Sequence, residues 1–331
     1  MAAELETARL VAIVGPTASG KSDLALQAAR WAQGEIVSCD SVQVYRGLDI
    51  GSGKPSLGER ARVPHHLVDI LDPSEEMNAS VFAQRAAAAI ADIGARGRLP
   101  IVTGGTGLYL TALLKGLFEQ GESDPAVRKR LYRLAERFGA KRLHRLLSLK
   151  DPAYAARTQP KDRTRIVRAL EVFFILGKPF SRAQMARRPA FAGRALLIGL
   201  CPSRDELRER VITRTRGMLS AGLIAETRRI MDQAPEGSGT PRVLGAIGYR
   251  EVVARLAAGP LDPGGDDKLQ RDIVTATMQY AKRQMTYFRN QFEVSWFSDR
   301  KAALRHIEDW VRREGTINSK SGREPAAWPE E

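Results

Sequence analysis

The sequence predicts an α/β protein built on a parallel sheet with helices on both faces. Two observations carry this prediction. Short apolar runs, typical of buried strands, alternate with helix-forming segments, and a glycine-rich turn follows the first of these runs. The length of 331 residues and the hydrophobic fraction of 43% suit one large domain that carries an insertion.

The first turn, Gly15-Pro16-Thr17-Ala18-Ser19-Gly20-Lys21-Ser22, fits the phosphate-binding pattern G-x-x-x-x-G-K-[ST]. It joins the apolar run Leu10–Val14 to helix-forming residues from Asp23 to Trp31. Such a turn aims backbone N–H groups and the positive end of a helix dipole at one point. Lys21 can reach a terminal phosphate, and the Ser22 hydroxyl can ligate Mg²⁺. The sequence thus predicts a P-loop NTPase-like core, with ATP as the default ligand and other diphosphates as alternatives.

The remaining elements of the core follow in order along the chain. Strands are expected at Glu35–Cys39, within Val63–Leu71, at Pro100–Val102, at Ala195–Leu200 and within Phe292–Phe297. Helices are expected at Ser80–Ile93, at Ser203–Ala221, after Gly248 and around Asp272–Asn290. Ligands of such sheets bind beyond the carboxyl ends of the strands, so the P-loop, Asp40 and Thr106 should converge there.

A helical insertion interrupts this core. Helical periodicity is seen at Ala126–Phe138, Ala140–Leu149 and Lys161–Leu176. We therefore predict a discontinuous catalytic core at residues 1–116 and 193–313, a basic helical insertion at 117–192, and a disordered polar tail at 314–331.

The positive charge of the chain is concentrated in one block. The net charge is +14, and residues 121–200 hold 19 Lys and Arg against 6 Asp and Glu. A solvated helix surface normally carries both signs, so this block favours a polyanionic partner such as nucleic acid. Cys39 and Cys201 lack metal-like spacing, which fits a reducing cytoplasm, and no apolar run reaches membrane-spanning length.

Asp40 and Thr106 are the first candidates for chemistry. Asp40 could bind Mg²⁺, hold a substrate amine or act as a base, or it could merely cap a turn. Thr106 could contact a phosphate or a bridging oxygen, or be a turn threonine. The strand that ends in Thr103–Gly107 has no acidic residue at its tip, which weakly disfavours ATP hydrolysis.

Basic side chains supply the remaining candidates. Arg210 and Arg214 lie four residues apart and share a helix face, which suits a diphosphate, although surface arginines are the common alternative. The segment Tyr280–Arg289 mixes cations with aromatic rings, which suits single-stranded RNA or a core edge. For His65 and His66 we favour a structural role, because neighbouring strand residues point apart.

Together these stretches resemble the bacterial tRNA dimethylallyltransferase family. The resemblance lies in the P-loop and in the stretches Asp40–Gly51, Pro64–Leu67, Gly104–Tyr109, Arg165–Val172, Ile247–Glu251 and Ala281–Gln284. They occur in family order and cover most of the chain. The pair Asp-Ser-x-Gln-Val-Tyr-Arg-Gly and Gly-Gly-Thr-Gly-Leu-Tyr is highly specific.

The resemblance implies transfer of a dimethylallyl group from dimethylallyl diphosphate to N6 of adenine 37 in the anticodon stem-loop of tRNA. It implies that Asp40, Thr106 and Arg214 are catalytic and that Ser22 holds Mg²⁺. The diphosphate would be held by Gly15, Pro16, Thr17, Ala18, Ser19, Gly20, Lys21 and Ser22. The tRNA contacts would be Asp40, Ser41, Val42, Gln43, Thr106, Arg128, Thr164, Arg165, Ile166, Val167, Arg168, Gly245, Ala246, Ile247, Gly248, Tyr249, Arg250, Lys282, Arg283, Gln284, Met285, Thr286, Tyr287, Phe288 and Arg289. We expect a cytoplasmic monomer.

Two other functions compete with this one. A nucleotide or small-molecule kinase shares the fold, but it does not explain why the charge is confined to residues 121–200. An RNA-binding ATPase explains the positive charge of residues 121–200 but leaves Asp40 and Thr106 without a function.

Overall fold

The computed structural model of the protein describes residues 8–117, 124–183, 188–235, 239–259 and 267–318, with side chains up to residue 313. The strands are β1 (Arg9–Val14), β2 (Glu35–Ser38), β3 (His65–His66), β4 (Pro100–Thr103), β5 (Arg194–Leu200) and β6 (Ser295–Phe297). The helices are α1 (Lys21–Ala32), α2 (Leu57–Arg62), α3 (Ala79–Ala95), α4 (Gly107–Lys115), α5 (Pro125–Phe138), α6 (Ala140–Lys150), α7 (Pro152–Ala156), α8 (Arg163–Leu176), α9 (Phe180–Ala183), α10 (Arg204–Ser220), α11 (Leu223–Asp232), α12 (Tyr249–Ala257), α13 (Asp267–Gln291) and α14 (Arg300–Asn318).

The six strands form one parallel sheet, in the order β3-β2-β4-β1-β5-β6. This confirms the predicted fold class. The central strand β1 pairs with β4 on one side, where Val11 aligns with Ile101, and with β5 on the other, where Val11 aligns with Leu196. Because all strands run the same way, the segments that follow β1, β2 and β4 emerge at the same edge of the sheet.

Helices cover both faces of the sheet. On one face Ile13, Ile36 and Ile101 belong to an apolar cluster with residues of α1 and α14. The residues that alternate with them, such as Val37 and Val102, are also buried and point to the opposite face, where α3 packs on β2 and β4. Burial on both faces explains why the strands read as continuous apolar runs.

The chain divides into two compact units. Met1–Leu110 and Ala192–Glu331 form the first unit, which contains the whole sheet. Thr111–Phe191 form the second, in which α5, α6 and α8 pack around Leu131, Leu147 and Leu170. The second unit overlaps the predicted insertion, residues 117–192, along most of its length and begins slightly earlier, within α4.

The sequence predictions left some elements out. They did not include α11 or α14, and α14 continues through residues 314–318, where the disordered tail was expected to begin. The rest of that predicted tail, residues 319–331, lies outside the described residues. None of the described helices is long and apolar enough to cross a membrane.

Candidate active site

The P-loop occupies the turn between β1 and α1, as predicted. Gly15 has a φ of 142°, and a Cβ atom there would lie 2.5 Å from the carbonyl oxygen of Leu200, so the turn packs directly on the end of β5. Gly20 caps α1 in the left-handed region, with a φ of 91°. The backbone N–H groups that open α1 therefore face the carboxyl edge of the sheet, where an anion is favoured.

Two cations lie at this loop: Lys21 belongs to it, and Arg214 approaches it from α10. Lys21 Nζ donates to the carbonyl oxygen of Pro16 at 2.7 Å. Burial lowers the pKa of Lys21 to about 8, and the nearby Arg214 guanidinium contributes to the same shift. Arg214 on α10 approaches Thr17 Oγ1 at 3.5 Å and the Ser52 carbonyl oxygen at 3.4 Å, and burial lowers its pKa as well. Two poorly solvated cations so close together favour an anionic ligand.

Arg210, the other arginine on this face of α10, contacts the P-loop backbone. Arg210 Nη1 donates to the backbone carbonyl oxygen of Ser19 at 3.0 Å, and its Nη2 pairs with Glu206. Arg210 therefore braces the P-loop backbone, whereas Arg214 lines the cavity beside it.

Asp40 follows β2, and one of its carboxylate oxygens caps a turn, which is one of the roles that the sequence allows. Its Oδ1 accepts hydrogen bonds from the N–H groups of Val42 at 2.8 Å and Gln43 at 3.3 Å, which makes Asp40 a turn-capping residue. Its Oδ2 has no hydrogen-bond partner among the described residues. Because Asp40 also lines the cavity, that second oxygen is available to a ligand.

Thr106 joins the loop after β4 to the loop after β2. Its Oγ1 accepts from the N–H of Ser41 at 3.1 Å and lies 3.4 Å from Ser41 Oγ, while its own N–H donates to the carbonyl oxygen of Cys39. The hydroxyl is thus engaged by Ser41. Thr103, Gly104 and Gly105 are the residues of this loop that line the cavity.

Gln284 on α13 was predicted to contact RNA, but its side chain is only 5% exposed. Its Oε1 accepts from the N–H of Thr17 at 2.9 Å, and its Nε2 donates to the carbonyl oxygen of Gly105 at 3.0 Å. A Cβ atom at position 105 would lie 2.1 Å from Nε2, so the contact requires glycine. Gln284 therefore ties the P-loop to the loop after β4.

These groups surround one cavity of about 380 Å³. Its lining includes the polar side chains of Lys21, Ser22, Asp40 and Arg214. It also includes apolar side chains from α10 and α13, namely Val211, Met218 and Ile273. A site with convergent charges and an apolar compartment suits a ligand that has a charged head and a short hydrocarbon chain.

The predicted RNA-binding residues range from exposed through half-buried to buried. Exposed side chains are those of Thr164, Arg165, Arg250, Lys282, Arg283, Thr286 and Arg289. Buried side chains are those of Ile166, Val167, Tyr249, Gln284 and Phe288, at 0 to 5% exposure. Gln284 also lines the cavity, whereas the side chains of the other four belong to the protein interior and offer no surface to RNA. Their spacing within a motif did not reveal which face of the helix they occupy.

Arg128 and Arg168 share a buried partner within the second unit. Both guanidinium groups bond Glu171 Oε2, at 3.0 Å and 2.8 Å, and Glu171 is fully buried. These two arginines therefore neutralise a buried carboxylate. Arg165 is the more open cation of this segment, with a side chain 66% exposed.

The two histidines, for which we favoured a structural role, each contact an oxygen atom of the protein. His65 Nδ1 lies 2.7 Å from the carbonyl oxygen of Val63, and His66 Nε2 lies 2.7 Å from Glu35 Oε2. Within the described part of the chain, no group of three or more His, Cys, Asp or Glu residues could hold a metal ion.

Comparisons with known proteins agree on one family. The family model described as IPP transferase matches residues 43–291, and the isopentenyl transferase model matches residues 8–63. The tRNA dimethylallyltransferase of Geobacter metallireducens is 47% identical over 88% of this chain and 93% of the relative. That of Methylococcus capsulatus is 46% identical over 87% and 91% of the two chains.

Solved structures give the same result. The full-length tRNA isopentenylpyrophosphate transferase of Bacillus halodurans aligns with a TM-score of 0.66 and 35% identity, covering 95% of this chain and 98% of the other. A eukaryotic dimethylallyltransferase that acts on tRNA aligns with a TM-score of 0.75 and 26% identity, covering 94% and 80%.

Proposed function

The chain belongs to the IPP transferase family of tRNA dimethylallyltransferases, and from this premise we propose a role for each side of its cavity. The protein is an enzyme that transfers a dimethylallyl group from dimethylallyl diphosphate to tRNA. The acceptor is N6 of adenine 37. The observation that supports this assignment of roles is that Lys21, Arg214 and Asp40 line the same cavity.

The P-loop side binds the part of the donor that leaves. The backbone N–H groups of Gly15–Ser22, together with Lys21 and Arg214, hold the diphosphate. When the bond between C1 of the dimethylallyl group and its oxygen breaks, the electron pair goes to the diphosphate, and the two cations stabilise the added charge. Their poor solvation strengthens this stabilisation, since fixed charges act more strongly where water is excluded.

The opposite side positions the acceptor. The N6 lone pair attacks C1, and the proton released from N6 passes to Asp40 Oδ2. The other carboxylate oxygen stays bonded to the N–H groups of Val42 and Gln43, which fixes the orientation of the base. Thr106 holds the loop that carries Asp40 through Ser41 and, as proposed from the family resemblance, lies near the bridging region of the diphosphate.

The hydroxyl groups of the cavity suit a magnesium ion that takes most of its ligands from phosphate and water. Ser22 would hold it, and Thr103, whose buried Oγ1 has no hydrogen-bond partner among the described residues, lines the same cavity. Bound Mg²⁺ would supply further neutralisation of the departing diphosphate.

The basic helical unit is proposed to bind the anticodon stem-loop. Adenine 37 must leave its stack to reach Asp40, which costs a few kcal/mol, and phosphate contacts can offset that cost. We propose that the enzyme works as a monomer, since one chain supplies every group of the cavity, and that it works in the cytoplasm, where its tRNA substrate is found.

One assay tests the proposed reaction against the kinase alternative. The protein is incubated with labelled dimethylallyl diphosphate, unmodified tRNA and Mg²⁺, with and without ATP. We expect label in tRNA at the same rate in both mixtures. ATP turnover without transfer of the label would overturn the assignment.

A further inference from the structure

Glu226 on α11 is a buried carboxylate that the proposed reaction does not use. It is 6% exposed. Its two oxygens accept hydrogen bonds from the backbone N–H groups of Asp49, Ile50 and Gly51 at 2.9–3.1 Å, and Oε1 also accepts from the Tyr249 hydroxyl at 2.7 Å. A buried carboxylate is costly unless its oxygens are satisfied, and here four donors converge on it.

These bonds fix the loop at residues 49–53, which forms part of the cavity wall. The Ser52 carbonyl oxygen of this loop accepts from Arg214, and the Gly53 carbonyl oxygen accepts from Gln43 Nε2 at 3.1 Å. A Cβ atom at position 53 would lie only 2.3 Å from Arg214 Nη2, so the backbone itself contacts the guanidinium group. A shift of the loop would therefore move groups on both sides of the cavity.

We propose that Glu226 is a positioning residue for group transfer. It holds the loop at residues 49–53 so that Arg214 faces the departing diphosphate and Gln43 stays beside Asp40. This inference rests on the proposed function. It adds a residue that contacts neither substrate and lies outside the stretches on which the family resemblance was based.

The substitution Glu226→Gln tests the proposal with little change in shape. A carboxylate offers about four lone-pair sites on two oxygens, whereas a glutamine amide offers two and presents N–H donors instead. Whichever way the amide is oriented, at least one backbone donor, the N–H of Asp49 or that of Gly51, then faces an NH₂ group instead of an acceptor, and the loop is released. We expect kcat for transfer to fall about tenfold to a hundredfold and the affinity for inorganic diphosphate to fall about tenfold. The affinity for tRNA should change less than about twofold.

A second substitution distinguishes positioning from general destabilisation. Arg214→Lys removes the forked contact through which Glu226 acts. In that background Glu226→Gln should therefore slow transfer by less than about threefold further, because coupled residues are not additive. If the double variant loses rate by the full product of the two single losses, the proposal is overturned. Tyr249→Phe, which removes only one of the four donors, gives a milder variant and should show a smaller loss of the same kind.

Glu35 offers a matched control. It is another buried carboxylate, 1% exposed and bonded by Arg96, Arg98 and His66, but it stands at the amino end of β2, at the opposite edge of the sheet from the cavity. Glu35→Gln should lower Tm without changing kcat or diphosphate affinity at 25 °C. If Glu226→Gln behaves in the same way, the positioning role is refuted. Absence of transfer by the unaltered protein would instead refute the proposed function, while diphosphate affinity would still report on Glu226.

Discussion

The turn cap of Asp40 uses one carboxylate oxygen and its proposed base role uses the other, so a single substitution can separate the two. In Asp40→Asn the amide oxygen can still accept from the N–H groups of Val42 and Gln43, while Oδ2 becomes an NH₂ donor. The variant keeps the turn and loses the acceptor for the N6 proton. General-base catalysis contributes about 10²–10⁴ to a rate. We therefore expect kcat to fall by that factor, which corresponds to about 3–5 kcal/mol of activation free energy.

Three further readouts accompany the rate. Tm should be unchanged in Asp40→Asn, whereas Asp40→Ala should cost about 1 kcal/mol of stability through the lost cap. Affinity for inorganic diphosphate should stay the same or rise, because a negative charge is removed from beside Lys21 and Arg214. Affinity for tRNA, measured by filter binding, should persist.

The assay is single-turnover transfer of labelled dimethylallyl groups to unmodified tRNA, with protein in excess over tRNA. A loss of less than about tenfold in rate would contradict the base role. Lost tRNA binding with intact chemistry would assign Asp40 to recognition instead.

Other residues give further predictions. Gln284→Leu should lower kcat for transfer, because the N–H of Thr17 and the carbonyl oxygen of Gly105 lose the side chain that joins their loops; unchanged kinetics would show that the two loops hold their own positions. Arg165→Ala should weaken tRNA binding and reduce the slope of log K against log salt by about one, whereas Arg168→Ala should mainly lower Tm by depriving buried Glu171 of a partner. If Arg168→Ala weakens tRNA binding and Arg165→Ala mainly lowers Tm, the RNA contact lies at Arg168 instead of Arg165. Hydrogen bonds, above all from Arg96, lower the pKa of Glu35 to about 2. Its stabilising effect should be complete above about pH 4.5 and disappear as the pH falls toward 2, so the Tm difference caused by Glu35→Gln should shrink over that range. A difference that does not vary with pH would contradict this explanation.

The sequence predicted the parts of the site that depend on local pattern. The P-loop and Asp40 each directly follow an apolar strand, and the parallel sheet brings strand ends together. Which oxygen of Asp40 accepts the turn hydrogen bonds could not be predicted, because it depends on the backbone path after β2. The sequence allows both a turn cap and a base at this residue, and the geometry accommodates both.

The two side chains whose structural roles the sequence did not predict, those of Gln284 and Glu226, bond residues that lie far away in the chain. Gln284 bonds a residue 267 positions earlier, and Glu226 bonds residues 175–177 positions earlier. No local spacing signals such contacts. The same limit applies to Tyr249, for which the family resemblance implied RNA contact, and to Phe288, which lies in a basic and aromatic segment, because both side chains are buried. For Gln284 one signal was available in the sequence. Gly105 leaves room for a closely approaching side chain, although nothing indicates which one.

The pairing order of the sheet also bears on how the protein is made. Arg9 at the start of β1 aligns with Arg194 of β5, about 185 residues later in the chain. At a synthesis rate of about 5–20 residues per second, β1 waits roughly 10–40 s for this neighbour after leaving the ribosome. During that interval β1, which is apolar from Leu10 to Val14, has an open edge, and such edges recruit other chains. The residues from Thr111 to Phe191 already hold a core of their own and can fold during this interval. The late arrival of β5 therefore makes the nascent chain, and not the finished enzyme, the stage most exposed to aggregation.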